Sequence, residues 1–265
     1  MNIVSIIIPF HNSLEKLVEA CISVKNQSTN EITKKEICIG NDSKYSNSEL
    51  QDRLEKLNDN YCFIKVSKNK KTKGAGNARN AALSISSGSI IAFLDSDDIW
   101  YNSKLNEQLE FINKGYNFVT CAIRLKDTSI ISYPPKKLNN INDLFLSFNA
   151  ISTSTVVLKK EIIKDIRFNN LKFCQDLNFW SEILIKKECE YKSIQKPLVL
   201  YSRDGRTSKT NYLIRAYYYI KCLKKTKLKF HIKLISFFSY ALRNLLKKTL
   251  NLLFLSLKNK LQKFF

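Results

Sequence analysis

Short apolar runs alternate with stretches of helical periodicity through the first hundred residues. The runs VSIIIPF, EICIG, CFIKV and SIIAFL have the length and composition of buried strands. Strand and helix alternating at this interval predict right-handed βαβ units and a mainly parallel sheet, hence an α/β fold. The predicted strands cover residues 4–10, 36–40, 62–66 and 89–94, and the predicted helices cover 14–26, 47–58 and 76–87.

The pattern becomes looser after Trp100, where polar residues separate the apolar runs more widely. Neither an internal repeat nor a long low-complexity linker interrupts the sequence. The predictions for this half are helices at 103–114 and 176–187 and strands near 117–124, 129–133, 153–158 and 196–201.

Polar residues follow directly after three of the predicted strands. They are His11-Asn12, Asn41-Asp42-Ser43 and Asp95-Ser96-Asp97-Asp98. In an open parallel sheet the carboxyl ends of the strands share one edge, and ligands bind there. We therefore expect these side chains to meet in one cleft.

Three aspartates within four residues end the fourth predicted strand, and their mutual repulsion has to be offset. A hard divalent cation suits carboxylates at such a strand end and leaves room for phosphate oxygens. The alternative is a turn in which Asp98 caps the following helix.

The segment KNKKTKGAGNARNAAL places a Gly-x-Gly pair at the start of a predicted helix. It does not fit a dinucleotide fingerprint, because Arg79 occupies the third glycine position and the motif follows the third strand. A helix N-terminus with Arg79 would instead face an anionic ligand. For most of the lysines in residues 68–73, a solvated basic loop is the simpler interpretation.

Charge distribution sets the C-terminal part of the chain apart. The net charge is +21, and residues 205–265 contain 15 of the 44 Lys and Arg residues but no Asp or Glu. The charge-free stretches 234–242 and 249–257 are about half as long as a membrane span. Polar and cationic positions fall on one helical face and leucines on another, which predicts an interfacial helix on anionic lipid. These faces comprise Asn244, Lys247, Lys248, Asn251 and Lys258 on one side, and Leu242, Leu245, Leu246, Leu252 and Leu253 on the other.

Two other interpretations of this basic tail stay open. It could form a helical hairpin that packs on the preceding domain with a solvated basic face. Its charge would also permit nonspecific nucleic-acid binding, but the sequence contains no recognised RNA or DNA module, and we expect no nucleic-acid partner.

The seven cysteines are odd in number and contain no Cys-x-x-Cys pair. This pattern indicates free thiols in a reducing compartment and argues against a disulfide frame or a zinc site. The first apolar run also lacks the basic leader and cleavage site of a signal peptide. Both features favour a cytoplasmic protein.

Four motifs that follow one another along the chain resemble those of a known protein family. VSIIIPFHN, then NDS, then GAGNARNAAL, then GSIIAFLDSDDIW resemble the family 2 glycosyltransferases with the GT-A fold. The match in order and spacing covers roughly residues 3–100, and a weaker one continues through FCQDLNFWSEIL to PLVLYSRDGRTS. Departures from the family pattern are Asn41, Ser43, Gln175 and the lack of a histidine after Arg203.

The resemblance implies a role for each candidate residue. Asp42 would contact the uracil of a nucleotide-sugar, and Arg79 would meet the nucleotide or its diphosphate. Asp95 and Asp97 would bind Mn²⁺ or Mg²⁺, with Asp97 as the direct ligand, and Asp176 would be the general base. Because Asp176 also opens a predicted helix, a helix cap is its alternative role. The remaining implied nucleotide-sugar contacts are Pro9, His11, Asn12 and Arg203.

The family and the tail together imply an inverting, metal-dependent glycosyltransferase of bacterial O-antigen, lipooligosaccharide or capsule assembly. It would transfer a sugar from a UDP-sugar to a lipid-linked or membrane-bound saccharide and form a β-linkage. We expect it on the inner face of the inner membrane, held to anionic lipid through residues 221–265. The expected division is a GT-A domain at 1–210, with a nucleotide-binding half at 1–100 and an acceptor-binding half at 101–210, and a basic helical tail at 211–265.

Two alternatives come from other functional classes. A nucleotidyltransferase acting on sugar phosphates also uses a parallel sheet and metal-binding aspartates, but it requires a glycine-rich basic loop after the first strand. PFHNSLEK is not such a loop. The non-enzymatic alternative is a membrane-associated module whose catalytic site has decayed.

Overall fold

A nine-stranded sheet organises the chain in a computed structural model that describes residues 2–28, 33–147, 151–185, 189–202 and 210–242. The strand order is β3-β2-β1-β4-β8-β6-β9-β5, and β7 pairs with β6. The strands are β1 (Asn2–Phe10), β2 (Thr33–Asn41), β3 (Cys62–Lys68), β4 (Ile90–Phe93), β5 (Ile99–Trp100), β6 (Phe118–Leu125), β7 (Ile131–Ser132), β8 (Val157–Lys159) and β9 (Tyr191–Tyr201).

The first four strands are all parallel, as the sequence predicts, whereas the second half of the sheet is mixed. There β8 runs antiparallel to both β4 and β6, and β6 runs parallel to β9. The helices are α1 (Leu14–Lys25), α2 (Asn47–Leu54), α3 (Ala75–Ser84), α4 (Lys104–Asn113), α5 (Ile141–Leu146), α6 (Gln175–Ile185) and α7 (Tyr212–Lys225).

The predicted elements are present, with differences at short segments. The predicted helix 47–58 ends at Leu54 and continues as one 3₁₀ turn, and the predicted strand 153–158 begins with a 3₁₀ turn at Thr153–Thr155. The sequence analysis missed β5 and α5, because two and six residues are too few to show a period.

Buried apolar residues cover both faces of the sheet. Ile6 and Ile8 belong to one hydrophobic cluster, and Ile7, between them on β1, belongs to the other. Burial on both faces explains why the first strands are continuous apolar runs without alternation. The seven cysteines, five of them buried, are all free thiols, in agreement with the sequence analysis.

Close contact between β2 and α3 fixes the position of the glycine-rich helix. A Cβ atom on Gly40 would overlap the backbone oxygen of Ala78, so only glycine fits there. The start of α3 is thereby placed beside the carboxyl end of β2.

The C-terminal segment begins with α7, which packs on α6. Residues 230–242 are also helical, and the predicted lipid-facing positions beyond 242 lie outside the described residues. None of the helices that the structure describes has the length and hydrophobicity needed to cross a membrane.

Glu36 joins the parallel strands at the end of the sheet opposite the predicted cleft. Its fully buried carboxylate accepts hydrogen bonds from Ser5, from the backbone and hydroxyl of Ser87 (both 2.8 Å), and from Lys65 (2.5 Å). Burial acts to raise its pKa, but these hydrogen bonds outweigh burial and lower the pKa to about 2. One carboxylate thus links β1, β2, β3 and the turn before β4.

We expect Glu36→Gln to lower the free energy of unfolding at pH 7 by about 3 kcal/mol, since it leaves part of a buried ionic network unpaired. The folded pKa lies below the unfolded one, so this contribution is complete above the unfolded value of 4.5 and is lost as the pH falls toward 2. Urea unfolding at pH 7 and pH 3 would measure both effects. The difference from wild type should narrow at pH 3, and the exposed Glu110→Gln should be neutral. An equal difference between the variant and wild type at both pH values would contradict the lowered pKa of Glu36.

Candidate active site

The carboxyl ends of β1, β2 and β4 bring the predicted polar residues to one edge of the sheet, as their parallel pairing requires. The backbone N–H of Asp42 donates to the Phe10 carbonyl (2.8 Å), which joins the ends of β1 and β2. The edge residues predicted to contact a nucleotide-sugar or metal are Pro9, His11, Asn12, Asp42, Asp95 and Asp97.

Asp42 is buried, and both of its carboxylate oxygens accept hydrogen bonds. Asn69 donates to one oxygen (2.9 Å) and the backbone N–H of Gly74, before α3, donates to the other (2.9 Å). Gly74 has a φ of 152°, which favours glycine. The half-buried His11 ring lies beside Asp42, with Nδ1 3.0 Å from its backbone oxygen. The Asp42 carboxylate therefore has a fixed orientation at the carboxyl-terminal edge of the sheet.

The two family departures next to Asp42 bond to each other. Asn41 is buried, and its side-chain oxygen accepts from the backbone N–H (3.1 Å) and hydroxyl (2.7 Å) of Ser43. Lys68 donates to the carbonyls of Ser43 and Tyr45, both at 2.8 Å. Asn41 and Ser43 therefore stabilise the loop that carries Asp42.

Arg79 neutralises Asp95, the first aspartate of the acidic turn, which is formed by residues 95–98. Its guanidinium donates to Asp95 (2.5 Å) and lies 5.3 Å from the ring centre of Phe168. Arg79 is almost fully buried, whereas Asp95 stays partly exposed, so the ion pair is shielded from water on the arginine side. The structure thus brings Arg79 from α3 to the acidic turn.

Asp98 is not the cap of the following helix, which corrects one of the two interpretations of the acidic turn. The residue before α4 is Ser103, and Asp98 is buried, accepting from the Ser154 hydroxyl (2.5 Å) and the Ser202 backbone N–H (2.8 Å). Burial, then the charge of Asp95, raise the pKa of Asp98 well above its ordinary value. Asp98 therefore ties β9 and the 153–155 turn to the acidic turn.

Two buried side chains, Trp100 and Lys104, pack next to the acidic turn. The Trp100 indole N–H donates to the Ser154 carbonyl (2.9 Å), and the Ser154 hydroxyl accepts from the Asp95 backbone N–H (3.0 Å). The Lys104 ammonium nitrogen lies 3.8 Å from the ring centre of Trp100. Burial lowers the pKa of Lys104 to about 8.

Tyr201 is a site residue that the sequence analysis missed. Burial, followed by the charges of Asp98, Asp95, Asp97 and Asp176, raises the pKa of its phenol. Tyr201 is therefore close enough to these four aspartates for their charges to act on its phenol. Tyr201 is the last residue of β9 and is followed by polar residues. The same pattern identified the polar residues after β1, β2 and β4.

Asp176 lies in the first turn of α6 and is partly exposed. Its carboxylate accepts from the Leu177 backbone N–H (2.8 Å), and burial, the largest cause, raises its pKa. The charges of Arg79 and Asp95 also act on it, in opposite directions. Gln175 is in close contact with Gly76, so the first turn of α6, which carries Asp176, lies next to the helix that carries Arg79.

Gln175 packs α6 against the start of α3. A Cβ atom on Gly76 would overlap the Gln175 side-chain oxygen, so glycine at this position allows the two helix ends to approach closely. Cys174, directly before α6, has a φ of 58°, a conformation that costs a non-glycine residue roughly 1–2 kcal/mol. Packing therefore holds the first turn of α6 in place.

Asp95 and Asp97 fit a divalent cation, because both are partly exposed and their mutual repulsion is only partly offset by Arg79. Within the part of the chain that the structure describes, no three His, Cys, Asp or Glu residues form a closed metal cluster. Two carboxylates leave coordination positions for phosphate oxygens and water. Arg203 lies outside the described residues.

The chain belongs to glycosyltransferase family 2, because the family model "Glycosyl transferase family 2" matches residues 5–178. It is therefore a glycosyltransferase, as the four motifs imply.

Two bacterial relatives indicate the type of enzyme. The chain is 32% identical over 255 residues to "UDP-Glc:alpha-D-GlcNAc-diphosphoundecaprenol beta-1,3-glucosyltransferase WfaP" of Escherichia coli, covering 93% of this chain and 96% of WfaP. It is 28% identical over 190 residues to the "Putative teichuronic acid biosynthesis glycosyltransferase TuaG" of Bacillus subtilis strain 168, covering 69% of this chain and 73% of TuaG.

Solved structures share the GT-A fold. S. aureus TarS 1–349 in complex with UDP-GlcNAc has a TM-score of 0.66 at 18% identity, covering 92% of this chain and 72% of that one. The chain spans 41% of a longer TarS chain. Pyrobaculum calidifontis PcManGT in complex with GDP-Man and Mn²⁺ has a TM-score of 0.61 at 15% identity, covering 91% of this chain and 73% of that one.

Proposed function

We propose that the protein transfers a sugar from a UDP-sugar to a lipid-linked or membrane-bound saccharide, in an inverting, metal-dependent reaction of bacterial surface polysaccharide assembly. The observation that carries the proposal is that Asp42 and the acidic turn follow parallel strands at one sheet edge, with α3 beside Asp42 and the first turn of α6, which carries Asp176, packed on the start of α3. The name of WfaP, a relative along nearly the whole chain, supports the donor and acceptor classes. The pathway would be O-antigen, lipooligosaccharide or capsule assembly.

The donor nucleotide would bind at the ends of β1 and β2. Asp42 is the acceptor for a uracil N–H, held ready by Asn69 and Gly74. His11 packs beside the base, and Pro9 and Asn12 line the same pocket. A preorganised carboxylate gains more from this contact than a mobile one, because its orientation is fixed before the ligand arrives.

The donor diphosphate would lie at the acidic turn, with Mn²⁺ or Mg²⁺ held by Asp97 and Asp95. Bound there, the cation supplies Lewis-acid stabilisation of the departing diphosphate. The chain's own contribution is to hold the two carboxylates in place through Arg79 and the Ser154 network. Arg203 is proposed as a further contact to the nucleotide-sugar.

Asp176 is the proposed general base, which removes the proton from the acceptor hydroxyl as the glycosidic bond forms. Attack from the face opposite the leaving UDP inverts the anomeric centre, so an α-linked donor gives a β-linked product. A raised pKa brings Asp176 closer to the range of an effective base.

The proposed division is a GT-A domain at 1–210, with its nucleotide-binding half at 1–100 and acceptor-binding half at 101–210, and a membrane-binding tail at 211–265. Anionic lipid on the inner face of the inner membrane is the proposed surface for residues 221–265. Exposed apolar side chains on the described helices, among several lysines, support it. These side chains are Leu213, Ile214, Tyr217, Ile220, Phe230, Leu234, Ile235, Phe238 and Leu242.

Membership of family 2 argues against the nucleotidyltransferase. The residues after β1 bind the Asp42 loop, and they do not form a phosphate loop. The decayed module would differ from the enzyme in nucleotide binding and turnover, which the following experiments measure.

We expect UDP to bind with Mn²⁺ present and to lose at least tenfold in affinity with EDTA or in Asp97→Ala, because the carboxylate would hold the cation at the diphosphate. Titration calorimetry followed by a panel of UDP-sugars would measure this. The exposed Asp165→Ala is the matched control. Metal-independent binding would refute the cation site, and no UDP binding at all would refute the donor assignment.

Asp176→Asn should reduce kcat by about 10²- to 10⁴-fold, the usual contribution of a general base. Its UDP affinity should be unchanged, since Asp176 is not proposed to contact the nucleotide. In wild type, the acid limb of the kcat–pH profile should lie above the pH expected for an ordinary aspartate. Steady-state kinetics with Asp165→Asn as control would test this, and near-normal turnover of Asp176→Asn would exclude it as the base.

The protein should float with vesicles containing phosphatidylglycerol but not with pure phosphatidylcholine, and salt should weaken binding. The double variant Leu234→Ser/Ile235→Ser should bind less, because both side chains are exposed within residues 221–265 and each serine removes apolar area from the proposed interface. Ile130→Ser, at an exposed residue of the loop before β7, is the matched control. Equal flotation with both lipids would contradict anionic-lipid recognition.

A further inference from the structure

Helix α7 has one face toward the glycosyltransferase domain and one face exposed. Its inner face is buried, and Tyr218 places its ring 5.4 Å from that of Phe173, in the segment that leads into α6. The outer face exposes Leu213, Tyr217 and Ile220. The helix therefore lies between the segment carrying Asp176 and the surface proposed to meet the membrane.

Arg215 belongs to the inner side of α7. It stands two helical turns before the buried Cys222, so both project in the same direction. The pKa of Cys174 is raised by burial first and by Asp176 second, and Arg215 counteracts the rise. Arg215 is also one helical turn before Tyr218, whose ring contacts Phe173, so Arg215 lies close to the segment that leads into α6 and Asp176.

The guanidinium of Arg215 has no ion-pair partner among the described residues. Its Nε atom is buried and makes no hydrogen bond. Arg79 also has a buried, unbonded Nε, but its terminal nitrogen is paired with Asp95. Arg215 is partly exposed, so its terminal nitrogens can be reached from outside while its Nε is buried. A buried guanidinium nitrogen without a partner is costly, and a bound anion is one common reason for it.

We propose that Arg215 binds the diphosphate that links the acceptor saccharide to its lipid carrier. The inference rests on the proposed function, in which the acceptor hydroxyl is at Asp176 and the carrier is in the membrane, and it takes the acceptor to be diphosphate-linked, as in the name of WfaP. A diphosphate between these two points has to pass α7, whose outer face meets the bilayer. Arginine suits this role, because its planar fork donates two parallel hydrogen bonds to phosphate.

The donor diphosphate is the competing ligand of the same chemistry. Its proposed site is the acidic turn at the end of β4, where Asp95, Asp97 and Arg79 lie. The contacts of α7 include α5, α6, the segment before α6 and the helix at 230–242. Arg215 is on α7, next to the segment that leads into Asp176, where the acceptor hydroxyl is proposed to bind. We therefore assign Arg215 to the acceptor, and the donor KM tests the other source.

The test compares Arg215→Ala and Arg215→Lys with wild type on two water-soluble acceptors. One is a short-chain alkyl diphosphate of α-N-acetylglucosamine, and the other is the alkyl glycoside without phosphate. Soluble acceptors remove membrane binding from the measurement. The exposed Arg53→Ala on α2 is the matched arginine control, and thermal unfolding identifies any variant that does not fold.

For the diphosphate acceptor, we expect KM to rise at least tenfold in Arg215→Ala and less in Arg215→Lys. The donor KM, the UDP affinity and the rate with the phosphate-free acceptor should not change. An equal KM increase for both acceptors, an unchanged KM, or a higher donor KM would overturn the assignment.

Calorimetric binding of the diphosphate acceptor analogue provides a second measurement that needs no turnover. If wild type transfers no sugar, the proposed function fails. Tighter binding to wild type than to Arg215→Ala would still support the anion site, and equal or absent binding would refute it.

Discussion

Like charge at the end of a buried strand is the constraint on which the site depends. Asp95, Asp97 and Asp98 follow β4 within four residues, and burial and repulsion raise the pKa of Asp98. The structure offsets this cost with the Arg79 ion pair and with hydrogen bonds from Ser154 and Ser202. These partners come from α3, from the turn before β8 and from the end of β9. The acidic turn is therefore complete only when both halves of the sheet have assembled.

The same arrangement explains why two glycines have no substitute. Arg79 reaches Asp95 from α3, and α3 lies directly on β2 because Gly40 permits that approach. Gly76 then permits the start of α3 to pack against Gln175, next to Asp176. The family departure at Gln175 thus lies in a contact that joins the nucleotide side of the site to the proposed base. In this fold, the close packing of backbone segments therefore decides which charged side chains meet in the active site.

The sequence predicted the parts that local pattern determines and missed those that depend on distant contacts. Continuous apolar runs identified β1 to β4, and the parallel-sheet rule was enough to place Asp42 and Asp95 on one edge. By contrast, Ser154 is an ordinary serine in the sequence, and its three hydrogen-bond partners in the acidic turn and at Trp100 lie more than fifty positions away. Tyr201 required the pairing of β5 with β9 to reach the aspartates. The sequence did not decide the role of Asp98, because an aspartate that caps a helix and one that accepts hydrogen bonds in the core can occupy the same position after a strand.

The position of α7 gives the basic tail a meaning that composition alone could not. A cationic, apolar segment by itself predicts only attraction to a surface. Because α7 packs against the segment that leads into Asp176, the exposed face of this helix and the proposed base are held in a fixed relation. A lipid-linked acceptor has its reactive sugar a short distance from the bilayer. An enzyme with the proposed acceptor needs its base near the membrane surface, and α7, with one face on the domain and one face exposed, would supply that arrangement.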